Sequence, residues 1–200
     1  MPEGQQPGDG QTPPEMPGGQ QPGDGQTPPE IPGGQQGGMP GGNEGSVEYS
    51  AAAIITEDGD GAAYDSTADS ENAVLVSGSE VSLTNVTVTK TGSSSDGNAD
   101  FNGVNAAVLA TDGATLTITG ADITSDGAHA TGIFSYGSGT TVNVSDTTIT
   151  TTGSNSGGIM TTGGATMNAE NLTVSTSGNS SAAIRSDRGG GIVTVTGGSY

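Results

Sequence analysis

The second half of the chain alternates small aliphatic residues with Thr, Ser, Asn and Asp, and short glycine-containing turns interrupt the alternation. Strict alternation over four to six residues predicts a strand with one buried face. The pattern returns with a nearly fixed period, as the first aliphatic position of each repeat shows. A fixed period of 20–50 residues predicts a solenoid. These first positions lie 34, 25, 26 and 25 residues apart and are Val74, Val108, Ile133, Ile159 and Ile184.

Each repeat holds three alternating stretches, so we predict three short strands per turn. The second stretch has inward positions such as Leu116 and Ile118, and the third has positions such as Ile123. A period of two residues, with abundant Thr and Gly, does not predict a helix within residues 70–200. The fold class is therefore predicted to be all-β, a parallel β-helix (β-solenoid) with about 25 residues per rung. A β-sandwich, which also uses many short strands, is the alternative.

The turns between these strands are rich in glycine. Glycine adopts a positive φ with little strain, so these residues are predicted to supply left-handed turn conformations. The glycines are Gly113, Gly120, Gly137, Gly139, Gly153, Gly163, Gly164 and Gly178.

Composition divides the chain into three parts. All ten prolines lie within residues 1–46, where a 15-residue segment occurs twice. This Pro/Gly/Gln-rich part is predicted to be a disordered linker, because it has too little apolar surface to offset its ordering entropy. Residues 47–72 are predicted to form degenerate N-terminal capping rungs, and residues 73–200 the β-helix rungs. The chain stops at Tyr200 within a rung, so we expect a truncated solenoid.

Charge limits the partners of this chain. The formal net charge is −19, and the only Lys and Arg residues are Lys90, Arg185 and Arg188. Binding to phosphates needs clustered cations, so no nucleic-acid partner is predicted, and anionic membranes are disfavoured for the same reason. No apolar run approaches the roughly 18 residues of a membrane span, so no membrane insertion is predicted. The acidic, Ser/Thr-rich surface favours a secreted or cell-surface protein, with signal and anchor outside this segment.

Three runs carry a resemblance to known proteins. They are GVNAAVLATDGATLTITGADITSDG at 103–127, TGIFSYGSGTTVNVSDTTITTTGSNS at 131–156 and AAIRSDRGGGIVTVTGG at 182–198. They resemble the β-helical repeats of bacterial adhesin-like surface proteins, including pertactin-like autotransporter passengers, over about residues 50–200. The resemblance implies a right-handed parallel β-helix on a cell surface or in secretion. It rests on repeat texture and implies no catalytic residues.

A stripe of side chains is the best candidate for a binding site. Val74 and its equivalents point inward, so the next residue of each repeat is expected to point outward. Phe134 and Met160 occupy that column, and Tyr136 lies two residues further along its strand. An exposed apolar and aromatic ladder beside arginines could recognise a glycan or a peptide. The alternative is that these side chains contact a flanking segment. The predicted ligand-binding residues are Phe134, Tyr136, Met160, Arg185, Asp187 and Arg188.

A second candidate site lies in the one long repeat. Asp96, Asn98 and Asp100 place oxygens at the 1, 3 and 5 spacing of a calcium loop. The sixth residue is Phe101 instead of Gly, and the twelfth is Ala107 instead of Glu, so the loop is no EF-hand. Calcium at these three residues is the one cofactor hypothesis, and a solvated acidic loop is the alternative. The single histidine, His129, is predicted to be a solvated turn residue.

The sequence favours an adhesin-like surface binding module, with a glycan or a host-surface protein as ligand, and no enzymatic activity. Polysaccharide hydrolysis by a β-helix needs two carboxylates about 5–10 Å apart. Asp122 and Asp146 are predicted at neighbouring outward positions, but Asn171 follows in the next rung. Two alternatives remain open. One is a purely structural cell-surface stalk, and the other is a polysaccharide-active enzyme whose catalytic part lies outside this segment.

Overall fold

The computed structural model describes residues 47–200, so the linker predicted for residues 1–46 lies outside the described residues. The chain coils into a β-solenoid in which each strand pairs with its equivalents in adjacent turns. Sheet A contains β1 (Ala51–Ile54), β4 (Asn72–Ser77), β7 (Val108–Thr111), β10 (Ile133–Tyr136), β13 (Ile159–Thr162) and β16 (Ile184–Ser186). Sheet B contains β2 (Gly59–Asp60), β5 (Glu80–Thr84), β8 (Thr115–Thr119), β11 (Thr141–Ser145), β14 (Ala165–Glu170) and β17 (Gly191–Thr196). Sheet C contains β3 (Ala63–Ser66), β6 (Thr87–Lys90), β9 (Asp122–Ser125), β12 (Thr148–Thr151) and β15 (Thr173–Thr176).

The strand register confirms the predicted period. Val108 lies opposite both Val74 and Ile133, and Ile159 lies opposite both Ile133 and Ile184. The named strand pairs are all parallel, which rules out the antiparallel sheets of a β-sandwich for the described residues. Alternation places one face of every sheet in a single core that runs along the coil. Small and β-branched residues fill this narrow interior, as the sequence predicted.

The two ends of the described coil are less well covered than its middle. The first turn uses the shortest set of strands, and β2 has only two residues. In the last turn Ile184 and Val195 lie over Ile159 and Ala169, yet each is 37% exposed. Within residues 47–200 no helix is both long enough and apolar enough to cross a membrane.

A column of glycines forms the corner between sheets C and A. The column consists of Gly92, Gly127, Gly153 and Gly178. A Cβ at any of them would collide with the backbone carbonyl oxygen of the equivalent residue in the preceding turn. Gly153 and Gly178 do not have a positive φ, so the predicted reason for these two glycines is wrong. They are required because each carbonyl points directly at the next Cα, where only hydrogen atoms fit.

The carbonyl oxygens of this corner take their hydrogen bonds from side chains. Ser156 Oγ donates to Gly127 O at 2.8 Å, and Ser181 Oγ donates to Gly153 O at 3.1 Å. In the first turns the donors are Lys90, whose Nζ lies 2.7 Å from Ala68 O and 2.9 Å from Gly92 O, and Asn105, whose Nδ2 donates to Gly92 O at 3.0 Å. A cation and an amide therefore supply the hydrogen bonds that serines supply in the later turns.

Lys90 is fully buried, and burial lowers the pKa of its ammonium group below 10.5. Lys90→Ala is expected to destabilise the fold by about 2–5 kcal/mol, because it leaves a cavity and removes the donor to Ala68 O. Lys90→Met should cost less, since the thioether keeps most of the volume and avoids burying a charge. Urea denaturation of the three proteins at pH 7 measures both effects, and an equal loss in both variants would contradict the volume argument.

The lowered pKa also predicts a pH dependence. Between the folded-state pKa and 10.5 the unfolded chain binds more protons at Lys90, so stability rises with pH in that window. The wild type should therefore gain stability relative to Lys90→Met as pH approaches 10.5 from below. A difference between the two proteins that stays constant from pH 7 to pH 10 would show that Lys90 titrates normally.

Candidate functional site

The long repeat carries a short helix, α1 (Gly97–Asn102), so the prediction of no helix within residues 70–200 is wrong at this point. The Asp96 carboxylate caps the helix by accepting the backbone N–H of Asn98 at 2.9 Å. Gly103 follows the helix with a left-handed φ of 81°. Both capping signals are present in the sequence, but a six-residue helix gives too little periodicity to compete with the surrounding strand pattern.

The helix and the residues after it cover the outward face of sheet A. Ala106 joins Leu75, Leu109, Phe134 and Met160 in a second apolar cluster that lies outside the coil. Phe134 is 0% exposed and Met160 is 1% exposed. The expected exposed ladder is therefore wrong at these two positions, and contact with a flanking segment, which was the alternative, is what the structure has.

Two hydroxyl groups hold the C-terminal end of α1. Tyr49 donates to Asn102 O at 3.0 Å, and Thr162 Oγ1 donates to Phe101 O at 2.7 Å. The last carbonyls of a helix have no partners within the helix, so these bonds satisfy two partly buried groups that would otherwise lack a protein partner. Burial raises the pKa of Tyr49 well above its usual value, which keeps this phenol a donor through the physiological range.

The other side of the helix is joined through His129 to the corner between sheets C and A. Its Nδ1 lies 2.8 Å from Asp100 Oδ1, and its Nε2 lies 3.3 Å from Asn155 Nδ2. The residue adopts a left-handed φ of 56°. His129 is thus half-buried and bonded on both ring nitrogens, where the sequence predicted a solvated turn residue.

The three candidate calcium ligands have different partners. Asp96 caps α1, and Asp100 faces His129. The Asn98 side-chain amide lies 3.4 Å from Asp96 Oδ2, so its nitrogen, not its oxygen, faces the carboxylate. Among residues 47–200 no group of three or more His, Cys, Asp or Glu is placed to hold a metal ion. Calcium binding at this loop stays a prediction.

A groove of about 450 Å³ lies between α1 and the corner turns that join sheets A and B. It places Asp96 and Asn98, from the predicted calcium loop, beside Tyr136 and Arg188, from the predicted ligand strip. The sequence predicts the calcium loop and the ligand strip as two separate sites, whereas in the structure residues of both line one groove. Phe101 and Asn102 also line the groove, and sequence reasoning missed both because it did not predict the helix that presents them.

The arginines of the predicted strip have different surroundings. The Arg188 guanidinium carbon lies 3.8 Å from the centroid of the Phe101 ring, which is a cation–π arrangement. Arg185 donates to Asp187 Oδ2 from Nε at 3.1 Å and from Nη2 at 2.5 Å. Hydrogen bonding from Arg185 is the main reason that the pKa of Asp187 lies below its usual value. Arg185 and Asp187 therefore pair with each other and do not line the groove.

The predicted pair of outward carboxylates is not a pair in the structure. Asp122 lies on β9 opposite Thr148 of β12. Asp146 lies one turn away at the corner between sheets B and C, with a φ of 50°, and its Oδ1 accepts the Asn171 amide at 3.3 Å. The expectation of neighbouring outward positions is wrong because Asp146 forms the turn that precedes its strand.

A second groove, of about 270 Å³, runs over the outer face of sheet B. Its lining is mostly hydroxyl and amide groups, and Asn168 Nδ2 donates to Asn143 Oδ1 there at 2.9 Å. It contains neither an aromatic ring nor a cation. The groove beside α1 is therefore the stronger candidate, because it combines both with polar side chains.

Comparison with known proteins gives no match: no family model, no curated protein and no solved structure matches this chain. The class that the fold defines is a parallel β-solenoid of about 25 residues per turn, with one sheet covered by an inserted segment.

Proposed function

We propose that this protein is a non-enzymatic binding module of an exported, adhesin-like bacterial surface protein, and that it binds glycans in the groove beside α1. The observation that carries the proposal is the composition of the groove. Tyr136 offers an aromatic ring, Arg188 a guanidinium stacked on Phe101, and Asp96 a carboxylate. Sugar rings stack on aromatic faces, and their hydroxyls pair with carboxylates and amides.

The scaffold supports binding because it holds these groups on rigid elements. Tyr136 ends β10, and a Cβ at Gly163 would come within 2.9 Å of its ring, so the ring packs closely on the neighbouring turn. The helix that carries Phe101 is held by hydroxyl groups from two other parts of the coil. A site whose supporting groups are fixed loses less entropy on binding.

Tyr136→Ala is expected to weaken glycan binding by at least about tenfold, because truncating an aromatic anchor removes its contact area. The matched control is Tyr200→Ala, which removes a 44% exposed ring on the sheet C side of the last turn. A glycan array with the whole chain, in calcium and in chelator, measures both variants. No binding by the wild type in either buffer would contradict the proposal and favour the structural stalk.

The calcium dependence of glycan binding distinguishes a site that holds a metal ion from one that does not. Binding that needs calcium would assign a metal to Asp96 and Asn98, and Asp96→Asn should then abolish it. Binding that is equal in chelator would leave the side chains of the groove as the only contacts. Because Asp96 also caps α1, circular dichroism and thermal melting of Asp96→Asn are needed to show that the helix still folds.

A further inference from the structure

We infer that the groove beside α1 recognises a sugar with a single carboxylate, such as a terminal uronic or sialic acid; this inference rests on the proposed function. The starting point is where positive charge is exposed. The three cations of the chain are Lys90, Arg185 and Arg188. Lys90 is fully buried, and Arg185 is paired with Asp187. In the part of the chain that the structure describes, no carboxylate lies within ion-pair distance of the Arg188 guanidinium, although its charge acts at longer range on the adjacent Asp187.

Stacking on Phe101 fixes how Arg188 is presented. The Arg188 guanidinium carbon lies 3.8 Å from the centroid of the Phe101 ring, a distance at which a guanidinium contacts a ring through its face. Its N–H groups remain at the edge of the plane, where they can donate in parallel. A carboxylate is the planar acceptor that matches two parallel N–H donors. Arg188 is therefore presented as a receptor for a carboxylate.

The other polar groups of the groove suit the rest of a sugar. The side chains of Asn98 and Asn102 offer amide donors and acceptors, and the carboxylate of Asp96 accepts hydrogen bonds from hydroxyls. Asp96 also excludes a second anionic group from its side of the groove, because two carboxylates in contact repel. The groove therefore favours a ligand that is anionic at one end and neutral elsewhere.

The charge of the whole chain limits the ligand to a short or terminal anion. Acidic residues greatly outnumber the three cations along the coil, so a polyanion lying along it would be repelled by most of its surface. At physiological salt the Debye length is about 8 Å, so a single carboxylate in the groove is governed by Arg188 and its nearest neighbours. A polyuronate would extend beyond that range, whereas a terminal acidic sugar would not.

Titration of the whole chain with glucuronic acid and N-acetylneuraminic acid, against glucose and galactose, tests the inference by ligand-observed NMR. The acidic sugars are expected to bind at least tenfold more tightly than the neutral ones. Arg188→Gln should lower their affinity about ten- to a hundredfold, the range for charge-assisted hydrogen bonds, and should lower the affinity for neutral sugars by a smaller factor. Arg188→Lys should recover only part of the loss, because an ammonium group lacks the planar fork.

Thr173→Asp is the matched control, since it changes the net charge by the same amount on the exposed face of sheet C. It should leave acidic-sugar binding unchanged. If acidic and neutral sugars bind equally well and Tyr136→Ala abolishes the binding of both, the acidic preference is overturned and the glycan site is retained. An acidic preference that survives in Arg188→Gln would overturn the role of Arg188. Binding of an acidic peptide with no sugar binding would overturn both the inference and the proposed function.

Discussion

Gly153→Ala is expected to destabilise the solenoid by about 3 kcal/mol or more, which is the upper range for overpacking a filled interior. For a domain of this size the melting temperature should fall by roughly 6–12 °C, at about 2–4 °C per kcal/mol. The added methyl group would collide with the backbone oxygen of Gly127. That oxygen also accepts a hydrogen bond from Ser156, and the strands on both sides are held in register. The backbone therefore cannot move aside without losing hydrogen bonds.

Two matched glycines separate the collision from other effects of the same substitution. Gly113 has a φ of 77° and open space around it, so Gly113→Ala carries only left-handed strain, of about 1–2 kcal/mol. Gly97 is in open space without a positive φ, so Gly97→Ala should be neutral or stabilise α1 by up to about 1 kcal/mol. In thermal and urea denaturation, the loss of stability should be largest for Gly153→Ala, smaller for Gly113→Ala and smallest for Gly97→Ala. A loss at Gly153 no larger than at Gly113 would show that the corner relaxes.

Phe134→Ala is expected to cost about 3–5 kcal/mol, because the ring is fully buried between sheet A and the segment that follows α1. A Cβ at Gly103 would come within 2.9 Å of this ring, so the chain above it is in direct contact. Loss of the ring should also loosen α1, and the amides of Ala99 and Val104 should exchange faster with solvent. The control is Ile54→Ala, which truncates a 66% exposed side chain and should cost less than about 1 kcal/mol.

A second substitution of Phe134 tests whether this residue supports the site or contacts the ligand. Phe134→Leu keeps an apolar side chain in the cluster, so glycan binding should stay near the wild-type level. If Phe134 touched the ligand, Phe134→Leu would weaken binding strongly while stability changed little. That outcome would restore the exposed ladder that the sequence suggested and would contradict the covering role of α1.

The inward positions of the coil were predictable because they depend on local patterning. Alternation with period two decides which side chains of a strand face the core, whatever lies around the strand. Stacking in a solenoid then aligns equivalent positions, so Val108 opposite Ile133 and Leu116 opposite Val142 follow from the repeat period. The outward positions do not follow in this way, because alternation does not say what covers them.

The glycines show the same division. Gly113 was expected to have a positive φ and has one, since turn conformation is a local property. Gly153 was expected for the same reason and does not, because its requirement comes from a carbonyl one turn below. Such a contact joins residues about 26 positions apart, and local patterning does not report it.

The sequence by itself determined the three strands of each turn, their period and the side chains that face the inside of the coil. Only the tertiary structure decided what covers sheet A, where the cations lie and which residues line a groove. The bonds that fix α1 join residues 53 and 61 positions apart, namely Tyr49 with Asn102 and Phe101 with Thr162. A short helix of this kind has too few contacts of its own to be stable, so its position depends on surfaces that exist only after the coil has formed.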